Sequence, residues 1–330
     1  MTETAGAYLR TFLAPLEPWL ERSDVTDVLV NTPGEVWFET LGSGMQRAPA
    51  PELTATTLLR LAQQIAAASH QGISREHPIL SATLPDGARV QIVAPPATRA
   101  HLAMAIRKHV IADLSIDTFS EAGSFAHTCR ADVSKPSAPD AELDSLLQSG
   151  DVKAFLKRAI AKRKTILISG GTASGKTTFL NALLKEMPPA QRIIAIEDTP
   201  EVSLARPNTV GLVAVKGAMG ESRLGLDDLM QAALRMRPDL LLVGEIRGSE
   251  AFTFLRAINT GHPGSMTTVH ADSPRGALEQ IAFMSLQAGI NLSRTDVIEY
   301  ARETIDVIVQ LSRVDGKRVV TQIAHGLNGI

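Results

Sequence analysis

A chain of 330 residues with 44% apolar side chains is long enough for two domains, each burying a core of its own. Its 33 basic and 35 acidic residues give a formal net charge of −2, which excludes a global basic footprint for nucleic acid and leaves only local contacts open. The single cysteine, Cys129, excludes a disulfide framework within the chain and a cysteine-cluster zinc site.

The first residues carry neither the basic nor the apolar part of a leader, and no run reaches the length of a membrane span. The expectation is a soluble, cytoplasmic chain able to dock on a membrane complex. Residues 9–20 read as a short amphipathic helix. Residues 25–30 and 35–39 read as two strands of a hairpin turned at Asn31-Thr-Pro-Gly34. A helix is expected over 53–69, with Leu58, Leu61, Ile65 and Ala68 on one face and Gly72 placed to end it. Two further strands are expected at 88–93, entered through Pro85-Asp-Gly87, and at 102–106, which ends on Arg107-Lys108. Together these make a small α+β domain over residues 1–127. The polar, proline-bearing stretch that follows reads as a linker over 128–140.

From Ala141 onward helices and strands alternate, the pattern of a mostly parallel sheet covered on both faces, over residues 141–330. Strands are expected at 165–169, 192–196, 240–243 and 266–269, and each runs into polar or glycine residues. In open α/β sheets ligands sit at the carboxyl ends of strands, so Gly170, Glu197-Asp198, Gly244-Glu245 and His270 should share one edge. Helix starts are written at Ser273-Pro274 and at Ser293 with Asp296. A hairpin turning at Asp315-Gly316 closes the chain, with strands at 305–310 and 318–323.

Within that frame, Gly170-Gly-Thr-Ala-Ser-Gly-Lys-Thr-Thr178 follows an apolar strand and opens a helix, with the full G-x-x-x-x-G-K-[ST] spacing. Such a loop turns its backbone N–H groups onto phosphate oxygens, a conformation that demands glycine, and the helix start adds a favourable dipole. Gly170, Gly171, Thr172, Ala173, Ser174, Gly175, Lys176, Thr177 and Thr178 are therefore the expected nucleotide-binding residues. Lys176 would reach the β and γ phosphates, and Thr177 would ligate Mg²⁺. Glu197 at a strand end is placed to orient or deprotonate water. Glu245 is placed to serve the metal, because Gly244 stands where most phosphate-loop ATPases carry aspartate, and the division of catalytic labour between Glu197 and Glu245 stays open. His270 reads as a donor sensing the γ phosphate and His262 as a residue that orders its loop. A nucleotide-gated docking module with slow hydrolysis and a nucleic-acid translocase are the competing readings. The cluster Arg158, Lys162, Arg163 and Lys164 is the basic tract the latter would need.

These stretches, in this order, resemble the secretion ATPase superfamily and most closely the type IV secretion traffic ATPases, the VirB-eleven family. Gly170 to Thr178 matches its Walker A segment and Ile196-Glu-Asp-Thr-Pro200 its Asp box. Arg235 to Arg247 matches its Walker B segment, and Thr260-Gly-His-Pro-Gly264 through Thr268-Val-His-Ala271 its His box. The likeness runs into the first half through Val30-Asn-Thr-Pro-Gly-Glu-Val-Trp37 and Pro85-Asp-Gly-Ala-Arg-Val-Gln91. Neither a four-cysteine zinc module nor a retraction-type C-terminal helix is written here, which favours the type IV branch over type II or pilus-type relatives.

The resemblance implies a RecA-like phosphate-loop domain preceded by the smaller α+β domain, and an ATP- and Mg²⁺-dependent ATPase. It also implies a homo-hexamer at the cytoplasmic face of the bacterial inner membrane. Its partners would be inner-membrane components of a type IV secretion system and a secreted DNA or protein substrate, with no sequence-specific nucleic-acid binding. Arg89 and Arg107, at matching positions of the N-terminal half, are expected to supply catalytic positive charge. Arg235 and Arg237 are the rival pair, assigned to packing between subunits.

Overall fold

The computed structural model describes residues 9–108, 116–121, 125, 126, 128, 140–215 and 221–327. Cys129 and nearly all of the expected linker lie outside them. Residues 9–20 form helical turns, with a 3₁₀ turn at Ala14–Leu16 where Pro15 interrupts the ladder and one α turn at Glu17–Leu20. Strands β1 (Val25–Val30), β2 (Gly34–Thr40) and β3 (Ser43–Ala50) are followed by helix α1 (Ala55–Ala68), and then by β4 (Ile79–Thr83), β5 (Arg89–Val93) and β6 (Ala103–Arg107). The six strands make one sheet in the order β3-β2-β1-β6-β5-β4, each neighbouring pair antiparallel.

Period-two alternation gives this sheet two buried faces. Val28, Val30, Ile92 and Met104 pack with Leu58, Leu61 and Ile65 of α1. Leu29, Trp37, Val93, Ala103 and Ala105 point the other way and share a core with Ile194, Leu212 and Leu229 of the C-terminal half. Full burial of each such leucine or isoleucine contributes roughly 1.5 to 3 kcal/mol.

After α2 (Ile116–Glu121), helices α3 (Ala141–Gln148) and α4 (Val152–Ala161) lead into β7 (Ile166–Gly170) and α5 (Lys176–Leu184). Then come β8 (Ile193–Glu197), β9 (Thr209–Val213), α6 (Leu226–Leu234), β10 (Leu240–Val243), α7 (Glu250–Asn259) and β11 (Met266–Val269). Helices α8 (Pro274–Leu286) and α9 (Arg294–Thr304) precede the hairpin β12 (Val307–Val314) and β13 (Lys317–His325). The second sheet runs β13-β12-β7-β11-β10-β8-β9, parallel throughout except for β13. Its faces are covered separately: Ile166 and Ile168 pack with Leu180, Leu183 and Phe155, whereas Leu167, Ile194 and Leu241 face the core shared with the first sheet. The expected helix starts are present, with Ser273 capping α8 and a Ser293/Asp296 capping box on α9.

Three strands are additions to the sequence expectation. β3 carries Gly44 and Pro49 and is mostly exposed, so it shows little alternation. β4 is short and follows Pro78, and β9 contains Gly211 and follows Pro207-Asn208. Their partners are non-local, which a pattern reading cannot supply.

A buried polar knot ties the halves together. Arg192, fully buried, donates to Met236 O at 2.9 Å, Asn31 Oδ1 at 2.6 Å and Asn208 Oδ1 at 3.1 Å, and Asn31 Nδ2 donates to Asn208 Oδ1 at 3.0 Å. Burial pulls the Arg192 guanidinium down to about 9. Nearby, Arg237 donates across the halves to Glu39 Oε2 at 2.7 Å and within its own loop to Asp239 Oδ1 at 2.7 Å.

Candidate active site

The carboxyl ends of β7, β8, β10 and β11 open into a cavity of about 400 Å³ lined by residues 172–178 of the phosphate loop together with Glu197, Asp198, Thr199, Glu201, Gly244, Glu245, Arg247, Thr268, His270 and Arg318. The loop's shape follows from its glycines. A Cβ on Gly170 would lie 2.4 Å from Ser174 Oγ and 2.7 Å from Leu311 O, so the strand end cannot carry a side chain. Gly175 takes φ +92° as it hands the chain to α5, and Ala173 also sits in the left-handed region at φ +60°. Ser174 is buried with its hydroxyl unpartnered, a polar group waiting inside the cradle.

Lys176 is only 8% exposed and folds back over the loop, donating to Gly170 O at 3.0 Å and Gly171 O at 3.4 Å. Its ammonium also lies 3.5 Å from Glu245 Oε1 and 3.3 Å from His270 Nδ1. Burial lowers its pKa from the ordinary lysine value, opposed by the neighbouring Glu245 carboxylate. Glu245 Oε1 is 2.8 Å from His270 Nε2, and Arg247 holds its other oxygen. Lys176, Glu245 and His270 are thus brought together as one cluster.

Glu197 lies in the same cavity and is held differently. It is 2% exposed, its Oε1 accepts the backbone N–H of Glu201 at 2.9 Å and of Val202 at 2.8 Å, and its Oε2 accepts from Arg99. Arg99 comes from the N-terminal half, where residues 97–99 pair with the edge strand: Val213 N donates to Ala97 O at 2.9 Å and Arg99 N to Gly211 O at 3.1 Å. The glycine before Glu245 is explained by this arrangement, because a Cβ on Gly244 would come within 3.0 Å of Glu197 Cγ. An aspartate there would displace the glutamate.

Glu201, Arg99 and Arg318 escaped the sequence reading of this site. Glu201 Oε2 accepts the Thr177 hydroxyl proton at 2.9 Å, which places a carboxylate beside the expected metal ligand. Its place four residues after Glu197, in the loop beyond β8, is the signal that could have found it. Arg99 carries no local signal, since only the docking of the first sheet on β9 brings it here.

Arg89 and Arg107 are strand partners on β5 and β6, and with Arg235 they line a different cavity of about 470 Å³. Within one chain they do not line the phosphate-loop cavity. Arg107 donates to Asp27 Oδ1 at 3.0 Å. His262 is bonded to Ala257 O at 2.9 Å, and its carbonyl accepts from Ser265 Oγ at 2.7 Å. Arg158 and Lys162 pair with Glu142, and Lys164 pairs with Asp306. Among the described residues no cluster of three His, Cys, Asp or Glu side chains is arranged to hold a metal on its own, and no helix is long and apolar enough to cross a membrane.

The family model "Type II/IV secretion system protein" matches residues 11–322. The type IV secretion system protein VirB11 of Bartonella quintana is 37% identical over 97% of this chain and 93% of its own length. The protein PtlH of Bordetella pertussis is 37% identical over 92% of this chain and 90% of its own. A crystal structure of the VirB11 ATPase from the Brucella suis type IV secretion system, in complex with sulphate, superposes with a TM-score of 0.91 at 34% identity, covering 98% of this chain and 96% of that one. The chain belongs to the Type II/IV secretion system protein family, on its VirB11 branch of type IV secretion ATPases.

Proposed function

We propose that the chain hydrolyses ATP with Mg²⁺ in the phosphate-loop cavity and, as a homo-hexamer at the cytoplasmic face of the inner membrane, powers type IV secretion of DNA or protein. The observation that carries the reading is the cluster in which the Lys176 ammonium lies 3.5 Å from Glu245 and 3.3 Å from His270 at the carboxyl edge of a parallel sheet. That is where a γ phosphate and its attacking water would be handled.

The residues fit ATP and Mg²⁺. The loop offers backbone donors, a buried hydroxyl at Ser174 and the Lys176 charge, and Thr177 with Glu201 offers the hard oxygen donors that suit a small divalent cation. Bound Mg²⁺ would supply charge neutralisation on the transferring phosphate. Lys176 leaves the loop carbonyls to meet the β and γ phosphates. Glu245, with an oxygen against His270, orients the water and takes its proton, and His270 is placed to sense the γ phosphate. From the sequence, Glu197 is the expected base and Glu245 the expected residue of the metal, with the division between them open. With both of its oxygens engaged by two amides and Arg99, we assign Glu197 instead to fixing the strand end behind Glu245.

A phosphate-loop site needs positive charge from beyond the loop. Since Arg89 and Arg107 stand away from this cavity in their own chain, we assign their contribution to a neighbouring copy in the ring, at the catalytic site of that copy. Specific activity should then rise with protein concentration alongside the mass of the ATP-bound particle. Mixing inactive Lys176→Ala with inactive Arg89→Ala protein should restore turnover. A monomer with full activity, or mixtures that stay inactive while exchanging subunits, would refute the assembled reading.

A further inference from the structure

The second sheet divides the phosphate loop into two sides. Strand β7, which feeds the loop, has β11, β10 and β8 on one flank and β12 with β13 on the other. Every group that handles the terminal phosphate stands on the first flank: His270 follows β11, Glu245 follows β10, Glu197 ends β8, and the Lys176 ammonium leans toward them. A nucleotide whose γ phosphate points to that flank must lay its nucleoside end toward the hairpin on the other.

On that side Arg318, from the start of β13, lies across the loop. Its Cδ is 2.8 Å and its Nε 3.6 Å from where a Cβ on Gly175 would be, and it lines the cavity. Arg247 and His270, the other planar side chains in the lining that carry nitrogen, are both engaged by Glu245. The Arg318 side chain makes no hydrogen bond or ion pair among the described residues, while its backbone pairs with Arg313 in the hairpin. No Phe, Tyr or Trp lines the cavity among them either, so its one aromatic ring is His270, which stands on the opposite flank with its nitrogens at Glu245 and Lys176.

We propose that Arg318 is the nucleoside-binding residue of this site, its guanidinium stacking on the purine while its methylene stem covers Gly175. The inference rests on the reading of the cavity as an ATP site. A guanidinium is planar and weakly hydrated, and it stacks on π faces in a way that a lysine ammonium does not reproduce. It also accounts for the hairpin's place next to β7, where Gly170 and Gly175 leave room for Leu311 O and Arg318 respectively.

The test is calorimetric binding of ATP and of inorganic tripolyphosphate to the full-length wild type, Arg318→Ala and Arg318→Lys. The expected result is that wild type binds ATP more tightly than tripolyphosphate. Arg318→Ala should lose ATP affinity by about 3- to 30-fold while keeping its tripolyphosphate affinity, which also reports an intact loop. Arg318→Lys should be as weak as Arg318→Ala, because charge is kept and the plane is lost. Unchanged ATP affinity in Arg318→Ala would overturn the proposal, and so would equal losses for both ligands or rescue by lysine. Wild-type protein that binds neither ligand would instead overturn the ATP-site reading itself.

Discussion

Arg99 of the first sheet's connecting loop donates to Glu197 at the end of β8, so the N-terminal half holds a carboxylate of the phosphate cavity in place. The same arginine donates to Val202 O at 2.7 Å, and Glu197 accepts the N–H of Val202 at 2.8 Å. Arginine, glutamate and the loop after β8 are therefore joined in one hydrogen-bonded network. The first sheet thus contributes a contact to a residue that lines the phosphate cavity.

Removing Arg99 leaves a carboxylate that is 2% exposed without its cation. Arg99→Ala should cost about 3 kcal/mol of stability, and a double-mutant cycle with Glu197→Gln should return a coupling of about 1 to 3 kcal/mol. Urea unfolding of the four proteins measures this. A coupling of zero would mean that the contact carries no energy.

Gly244→Ala is the smallest step toward the aspartate usual at that position. The added methyl meets Glu197 Cγ at 3.0 Å, and Glu197 is pinned by two amides and Arg99. The expected cost is about 1 to 3 kcal/mol, relieved in the Arg99→Ala background where the glutamate can give way. Equal costs in both backgrounds would contradict the packing argument.

Asn31→Ala removes the closest partner of the buried Arg192, at 2.6 Å, and strips one donor from Asn208. The loss should be about 2 to 4 kcal/mol in equilibrium unfolding. A cost below about 0.5 kcal/mol would show that Arg192 is satisfied without the N-terminal half.

Much of this was legible in advance because it is local. The phosphate loop, the caps at Ser273 and Ser293, and strands such as 240–243 and 266–269 are written in spacing and composition. The convergence of Gly170, Glu197, Glu245 and His270 follows from the sheet being parallel. What was not legible depends on docking. Arg99 reaches Glu197 only because residues 97–99 pair with β9, and neither that strand nor its pairing has a pattern of its own. The role of Gly244 was readable as a departure, but its cause, the side chain of Glu197 lying against it, needs the two strands side by side.

Lys176 gives a pH dependence with a definite sign. Burial lowers its pKa in the nucleotide-free protein below the ordinary 10.5, whereas a bound triphosphate favours the charged amine and raises it. Affinity for ATP should hold steady below the lowered value, then fall as pH rises through it, with proton uptake on binding across that window. Calorimetry from about pH 7 to pH 10 in buffers of different ionisation enthalpy checks this. Constant affinity and no proton uptake over the whole range would contradict it.

The most direct test of the central claim is phosphate release from Mg²⁺-ATP by the full-length wild type beside Glu245→Gln. The amide keeps the shape next to Lys176 and His270 but cannot take a proton. Glu245→Gln should therefore bind ATP as the wild type does and hydrolyse it about 10² to 10⁴-fold more slowly. Glu245→Gln protein that binds and hydrolyses ATP at the wild-type rate would remove Glu245 from the chemistry and contradict the account of the site.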